Sequence, residues 1–160
     1  MAYVPNNREV KLEGFAEFEQ QLLQLREIGR ADLIARNTLV KSAKVAMEPV
    51  YHRVEQTAPY DESNTGPIHL RDTVRLDARI PTAKDRQSKY VNDTDSVIAV
   101  VSVKKSAVSL AQEFGTSKLN PQPFLRPSLD GLTETVLSKL KSELSYFIPA
   151  YAKRLNRGKK

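Results

Sequence analysis

The side chains best suited to acid–base or metal chemistry are few and scattered in this 160-residue chain. The two histidines, His52 and His69, have no zinc-ligand spacing, and no His-Glu-x-x-His motif occurs. The sequence contains no cysteine, which excludes disulfides, thiolate metal sites and a cysteine nucleophile. We therefore interpret both histidines as structural or simply exposed.

Two pairs of acidic residues are the remaining candidates for a divalent cation, whose ligands are carboxylate oxygens. Asp93 and Asp95 lie in "VNDTDS", and Asp61 and Glu62 lie in "YDES". Asp and Asn also initiate turns, which is the role we expect of Asp93 and Asp95, and no third or fourth ligand lies at a suitable spacing from Asp61 and Glu62. We interpret both pairs as turn or loop residues and expect no metal ion.

Catalytic signatures are also lacking in the sequence. The six glycines are isolated, so there is no Gly-rich phosphate loop, and no Gly-x-Ser-x-Gly motif occurs. A serine triad can be assembled from distant residues, but nothing in the sequence marks one. A metal-dependent hydrolase would need a ligand cluster that the sequence does not show. We therefore expect no enzymatic activity and no cofactor.

The net charge of +6 is concentrated at the C-terminal end. Five basic residues and no acidic residue follow residue 150, namely Lys153, Arg154, Arg157, Lys159 and Lys160. The rest of the chain holds 20 basic against 19 acidic residues, so that part is nearly neutral. Such a tail is solvated, or contacts phosphate or an acidic partner surface. A small nucleic-acid-binding protein that uses this tail is the alternative function.

Neither a signal peptide nor a membrane-spanning segment is predicted. The first residues, "MAYVPNNREVKLEG", lack an apolar stretch, and no run approaches about 18 apolar residues. With 40% apolar and 28% charged residues, the composition is typical of a globular protein. We expect synthesis in the cytoplasm, and the absence of cysteine is compatible with a reducing compartment.

Apolar spacing predicts several helices. Phe15, Phe18, Leu22 and Leu25 form one face of a short helix between Gly14 and Gly29. A long helix follows over residues 31–56, and Pro49 should bend it. Its apolar face consists of Leu33, Val40, Ala43, Met47, Val50 and Val54. A short helix should end at Gly115, and a long one should run from Leu125 towards Leu155, kinked or ended by Pro149.

Two strands are predicted between the long helices. The first alternates, with Val74, Leu76, Ala78 and Ile80 on one face. The second, residues 96–103, is almost wholly apolar and β-branched, which favours a central position. Because two strands alone are marginal, a third could come from near Tyr90, from the N-terminus or from a neighbouring subunit. The predicted fold class is α+β, with two long helices and shorter helices packed on a small antiparallel sheet over residues 1–150.

The most distinctive segment is "LAQEFGTSKLNPQPFLRP", residues 110–127. Gly115 supplies a left-handed turn after the short helix. Phe114 and Phe124 are expected to fill the core from either side of the loop, and prolines 121, 123 and 127 stiffen its path. A rigid loop loses less entropy on binding. The segment is therefore interpreted as a stiff corner that suits contact with a partner.

This segment resembles the signature of a family of neck and tail-completion proteins of long-tailed bacteriophages. The family shows a Glu-Phe-Gly-Thr run and then Pro-Phe-Leu-Arg-Pro before a C-terminal helix. The matching positions here are Glu113, Phe114, Gly115, Thr116, Pro123, Phe124, Leu125, Arg126 and Pro127. The opening "GFAEFEQQLLQL" is also similar, as are Ala58, Pro59, Thr65, Gly66, Leu70 and Arg71. The resemblance extends over residues 14–135.

The resemblance implies a non-enzymatic virion protein of the neck or tail, assembled in the host cytoplasm. Such subunits form rings, about six copies being favoured here over twelve, and contact other neck, head-closure and tail proteins. The candidate contact with a neighbouring ring is the loop from Tyr60 to His69. It includes Tyr60, Asp61, Glu62, Thr65 and Gly66. The basic tail, residues 151–160, would face packaged DNA or a neighbouring protein, and no membrane is involved.

Overall fold

The computed structural model describes residues 33–157 except residues 64, 67 and 94. The predicted first helix, with Phe15, Phe18, Leu22 and Leu25, lies outside the described residues, as do Lys159 and Lys160. The described elements, in chain order, are helix α1 (Leu33–Thr57), strands β1 (Arg75–Arg79) and β2 (Ile98–Ser102), and helices α2 (Ala107–Phe114), α3 (Leu125–Asp130) and α4 (Thr133–Arg157). Single 3₁₀ turns precede and follow β1, at Arg71–Thr73 and Asp85–Gln87.

Helix α1 is the central element, and its C-terminal half carries the main core. The helix continues through Pro49 to Thr57, close to the predicted end at residue 56. Along its inner face, apolar side chains from the predicted stripe are buried against both strands and Phe124. The buried cluster consists of Met47, Val50, Val54, Ala58, Val74 and Phe124. The 3.5-residue spacing read from the sequence thus identified the buried face of this half of the helix.

The N-terminal half of α1 packs on α4 instead of on the sheet. Leu144 is fully buried against Leu39, Leu140 and Ile148. Just beyond the middle of α1, Lys139 of α4 donates to Glu48 at 3.0 Å, so the contact between the two helices continues there. Helix α4 continues past Pro149 to Arg157, so the proline does not end it. The first part of the predicted basic tail is therefore helical.

The two strands pair antiparallel, with Arg75 opposite Ser102 and Arg79 opposite Ile98. On β1 the predicted alternation is confirmed, because Leu76 and Ala78 are more buried than Arg75 and Asp77. The expectation that the second strand is central is wrong for the described residues, in which the sheet has two strands. The segment near Tyr90 supplies no strand there. One edge of β2 is thus left without a described partner strand.

The predicted last helix is in fact two helices. The sequence favours one helix from Leu125 onward, but α3 ends at Asp130 and α4 begins at Thr133. The Gly131 amide donates to the Pro127 carbonyl and the Leu132 amide to the Leu129 carbonyl, which closes the first helix. Glycine has low helix propensity, and the apolar spacing continues across the break. Spacing alone therefore did not reveal it.

The connection after β1 is fixed by an ion pair. Arg79 donates to Asp85 through Nη2 at 2.8 Å and also to Asp77. The Arg79 guanidinium holds the pKa of the Asp85 carboxyl well below its usual range, and the amide and hydroxyl of Thr82 act in the same direction. The same pairing raises the pKa of Arg79.

Overall the chain has the predicted α+β fold, with two long helices and shorter ones packed on a small antiparallel sheet.

Candidate functional site

The centre of the distinctive motif is the carboxylate of Glu113, at the end of α2. This side chain is 5% exposed. Its oxygens accept from the amides of Phe124, Leu125 and Arg126 at 2.9, 3.1 and 3.3 Å, and from Arg126 Nε at 3.2 Å. The first amides of a helix lack partners within the helix, so Glu113 supplies acceptors for the start of α3. We call this arrangement the Glu113 clamp.

The turn between the two helices requires Gly115. Its φ of +76° is confirmed as positive, although ψ is 179°, so the residue is extended rather than left-handed helical. A Cβ there would lie 2.8 Å from Pro121 Cδ and 2.9 Å from the Leu119 carbonyl oxygen. Thr116 Oγ1 then accepts from the amides of Lys118 and Leu119. The motif glycine and threonine therefore fold the loop tightly against the end of α2.

Phe124 is the part of the motif that enters the core. It is 3% exposed and contacts the cluster around Val50 and Val54. Ser128, also buried, donates to the Phe124 carbonyl and lies 3.4 Å from the Thr57 hydroxyl of α1. Leu125 packs at the margin of the same cluster. The second half of the motif thus anchors the corner to α1.

Phe114 does not fill the core, so that part of the sequence interpretation is wrong. Its side chain is 62% exposed, and the Arg126 guanidinium lies over its ring at 4.6 Å from the centroid. The physical reason is the rotation of α2. With Glu113 turned inwards to the clamp, the next residue along the helix points outwards. Pro123 and Pro127 are likewise exposed and shape the backbone on either side of Phe124.

The sequence also did not predict that α2 as a whole directs its polar side chains towards the core. Ser109 and Glu113 are buried, whereas Val108, Leu110 and Phe114 are exposed. Ser109 is held by reciprocal bonds with Ser106, whose side chain caps the helix. In most surface helices the apolar face is the buried one. The sequence held one indication of this orientation, because Glu113, a residue of the motif, lies on the polar side of the helix.

An apolar groove of about 240 Å³ lies beside the corner. It is lined by the core side chains Met47, Val50 and Val54 and also by Val100 and Leu129. Val100 and Leu129 are exposed, and Arg126 also lines the groove. The corner therefore borders apolar surface on more than one side.

The loop from Tyr60 to His69 is partly ordered by its own side chains. The rings of Tyr60 and His69 stack at 4.4 Å between centroids, and Arg71 lies over Tyr60 at 5.0 Å. Asp61 accepts from the amide and hydroxyl of Ser63, as expected of a turn-forming aspartate. Asp61, Glu62 and Thr65 are exposed, and Gly66 is half-buried. The loop precedes β1 and is well separated in sequence from the Glu113 clamp.

The remaining candidate residues for chemistry are not gathered together. His52 is exposed and pairs with Glu55. Asp95 accepts from the Asn92 amide at 2.8 Å, which is the predicted turn role. Among residues 33–157, less the three gaps, no three His, Cys, Asp or Glu residues approach closely enough to share a metal ion. Lys153, Arg154 and Arg157 lie on the last part of α4.

Comparisons with known proteins give no relative for this chain. No family model matches it, and neither a curated protein nor a solved structure does so. Within the described part of the chain, no helix has the length and apolar character needed to cross a membrane.

Proposed function

We propose that this protein is a non-enzymatic structural subunit of a bacteriophage neck, which joins the head to the tail as part of a ring. The motif resemblance suggests the family, and one structural observation carries the proposal. The polar face of α2 is buried in the Glu113 clamp while its apolar face is exposed. A helix placed in this way leaves apolar area for contact with another protein.

The chemistry of the motif also supports a structural role. The Glu113 carboxylate is bonded to three backbone amides and one guanidinium. A carboxylate held by these donors is well placed to fix a backbone corner. Gly115 and the prolines serve the same corner by their backbone conformations. Each identified role of the motif residues thus concerns shape, and the resemblance to neck proteins explains why that shape would be needed.

The proposal is tested by expressing the full chain and examining it by electron microscopy and sedimentation velocity at physiological salt. We expect closed rings with a central channel, either alone or after addition of the other neck proteins encoded beside its gene. Genes for a portal and head-closure protein upstream and a tail-tube protein downstream are the expected neighbours. A compact monomer that joins no ring under either condition contradicts the proposal.

The alternative function, nucleic-acid binding, depends on the five basic residues after residue 150. The matched experiment is deletion of residues 153–160, followed by measurement of DNA affinity over a series of salt concentrations. A DNA-binding protein should lose both affinity and a steep dependence on salt, because binding releases counterions from phosphate. A neck subunit should show only weak binding without sequence preference, and its assembly should survive the deletion.

A further inference from the structure

Strand β2 has an open edge that lacks the usual protection. Among the described residues the sheet has two strands, so β2 is paired on one side only, with β1. Its sequence, Ile98–Ser102, has no charged residue and no proline. Native proteins normally protect an exposed edge strand with such residues or cover it with another segment. An apolar edge of this kind therefore needs a cover, and a sheet of two strands is itself marginal.

The apolar groove beside the corner is also formed by this strand. Three consecutive residues of β2, Ala99–Val101, line it together with core residues of α1 and with Leu125 and Leu129 of α3. Among the described residues that line it, only Arg126 is not apolar. Val100 is 39% exposed and Leu129 44%, so apolar area remains accessible there. A sheet edge beside apolar pockets accepts an added strand, because the main chain bonds to the edge while alternate side chains fill the pockets.

A segment with the pattern of such a strand lies near the start of the sequence, outside the described residues. In residues 8–13, "REVKLE", the apolar Val10 and Leu12 alternate with charged residues. This alternation is typical of a strand with one buried face. Two asparagines precede the segment and a glycine follows it, and these residues favour turns at both of its ends. The segment therefore has the length and the pattern of a short strand.

The length of the chain brings this segment to the groove. The helix expected between Gly14 and Gly29 is about 24 Å long. Only three residues separate it from Leu33, the first residue of α1, and so short a connection makes two helices antiparallel neighbours. Along α1, Met47 lies about 21 Å from Leu33, so Gly14 would return to the level of Met47. Because Met47 lines the groove, the segment before Gly14 would start there.

We infer that residues 8–13 form a third strand on the open edge of β2, with Val10 and Leu12 in the groove. The backbone of this segment bonds to the β2 amides and carbonyls that point away from β1. Glu9 and Lys11 face the solvent on the opposite side. The segment of the same chain is favoured over a second copy or another protein, because its connection to α1 keeps it at a high effective concentration near the groove. The inference does not rest on the proposed neck function.

The first test is a cross-link in the full chain, which is clean because the sequence contains no cysteine. The variant Val10→Cys with Leu129→Cys is treated with a short bismaleimide. Peptide mass spectrometry should show the two cysteines joined within one chain. The matched control is Val10→Cys with Tyr146→Cys. Tyr146 is 77% exposed and lies two residues beyond Leu144 of the second core cluster, so this pair should not be joined.

The second test measures how well the β2 backbone is protected from hydrogen exchange. The variant Val10→Ser with Leu12→Ser removes the side chains expected in the groove. The amides of Ala99–Val101 should then exchange at least about tenfold faster, because local opening costs less once that apolar area is lost. The matched control, Glu9→Ser with Lys11→Ser, changes the opposite face of the same segment. Its β2 amides should exchange as in the wild type.

The outcomes separate the candidate occupants of the groove. A link between two chains, seen as a dimer on a denaturing gel, would show that a second copy supplies the strand, and it overturns the inference. The inference also fails if neither cysteine pair is joined, if both are joined equally, or if the two serine variants exchange alike. Should the groove variant not fold, the cross-link alone decides. Ring formation tests the neck function, and it can succeed or fail whichever way these results fall.

Discussion

Phe114 and Phe124 belong to one motif, yet the structure treats them in opposite ways. Phe124 is buried among α1 and strand side chains, whereas Phe114 lies outside beneath the Arg126 guanidinium. The Glu113 clamp accounts for the difference, because it turns one face of α2 inwards and fixes the backbone on which Phe124 begins α3. Two identical side chains therefore have separate roles: one secures the corner and the other remains available for contact.

The largest expected difference between the two aromatic residues is in stability. Phe124→Ala should lower the free energy of unfolding by about 3–5 kcal/mol, the usual cost of removing a buried phenylalanine. Phe114→Ala should lower it by at most about 1 kcal/mol, the value of an exposed cation–π contact. Urea denaturation followed by circular dichroism measures both. Equal losses would show that Phe114 is also part of the core.

The next prediction tests the clamp that separates the two aromatic residues. Glu113→Gln should destabilise the fold by about 1.5–3 kcal/mol, because buried amides lose a charged acceptor. The control is Arg126→Gln, which removes the charged partner at the more exposed end and should cost less than about 1 kcal/mol. The same urea titration compares them. Were the Arg126 variant the less stable of the two, the ion pair rather than the amide bonds would hold the corner.

In the turn between the two aromatic residues, we expect that Gly115 does not tolerate a side chain. Gly115→Ala should cost about 1–3 kcal/mol, because a positive φ with an extended ψ is a conformation that is essentially restricted to glycine, with a further loss from the close approach of Pro121. Gly131→Ala is the matched control, since its φ is −74° and its nearest neighbour to a new Cβ is the Pro127 oxygen at 3.2 Å. Differential scanning calorimetry should show a clearly lower melting temperature for the first variant only.

The smallest effect is predicted at the connection after β1, which is outside the motif. The lowered pKa of Asp85 means that its ion pair stabilises the fold above about pH 4, the usual pKa of an aspartate. That contribution is lost as the pH falls through the lowered pKa. The stability difference between the wild type and Asp85→Asn should therefore be present at pH 7 and shrink below pH 4. A difference that grows as the pH falls would refute the assignment, and assembly should not change.

The fold was largely predictable because long apolar repeats and strand alternation are local signals. The apolar spacing predicts where α1 ends, and it also predicts that Met47, Val50 and Val54 are buried. The orientation of α2 did not follow, because a short apolar stripe shows that a helix forms and leaves open which face meets the core. The direction of α2 is set by Glu113, whose partners begin at Phe124, immediately before the next helix. The break at Gly131 was hidden for a similar reason, since the apolar spacing does not change there.

The short reach of the Glu113 clamp has a consequence for the order of folding. It joins residues 11–13 positions apart, whereas the Lys139–Glu48 bond between the long helices joins residues 91 positions apart. Closing a loop of about ten residues takes roughly 10–100 ns, and longer closures carry a larger entropic penalty. We expect the corner to form while the two long helices are still unpaired. The nascent chain would then expose the face of α2 before the rest of the domain is complete, and partner encounters at that stage would depend on how quickly α4 closes on α1.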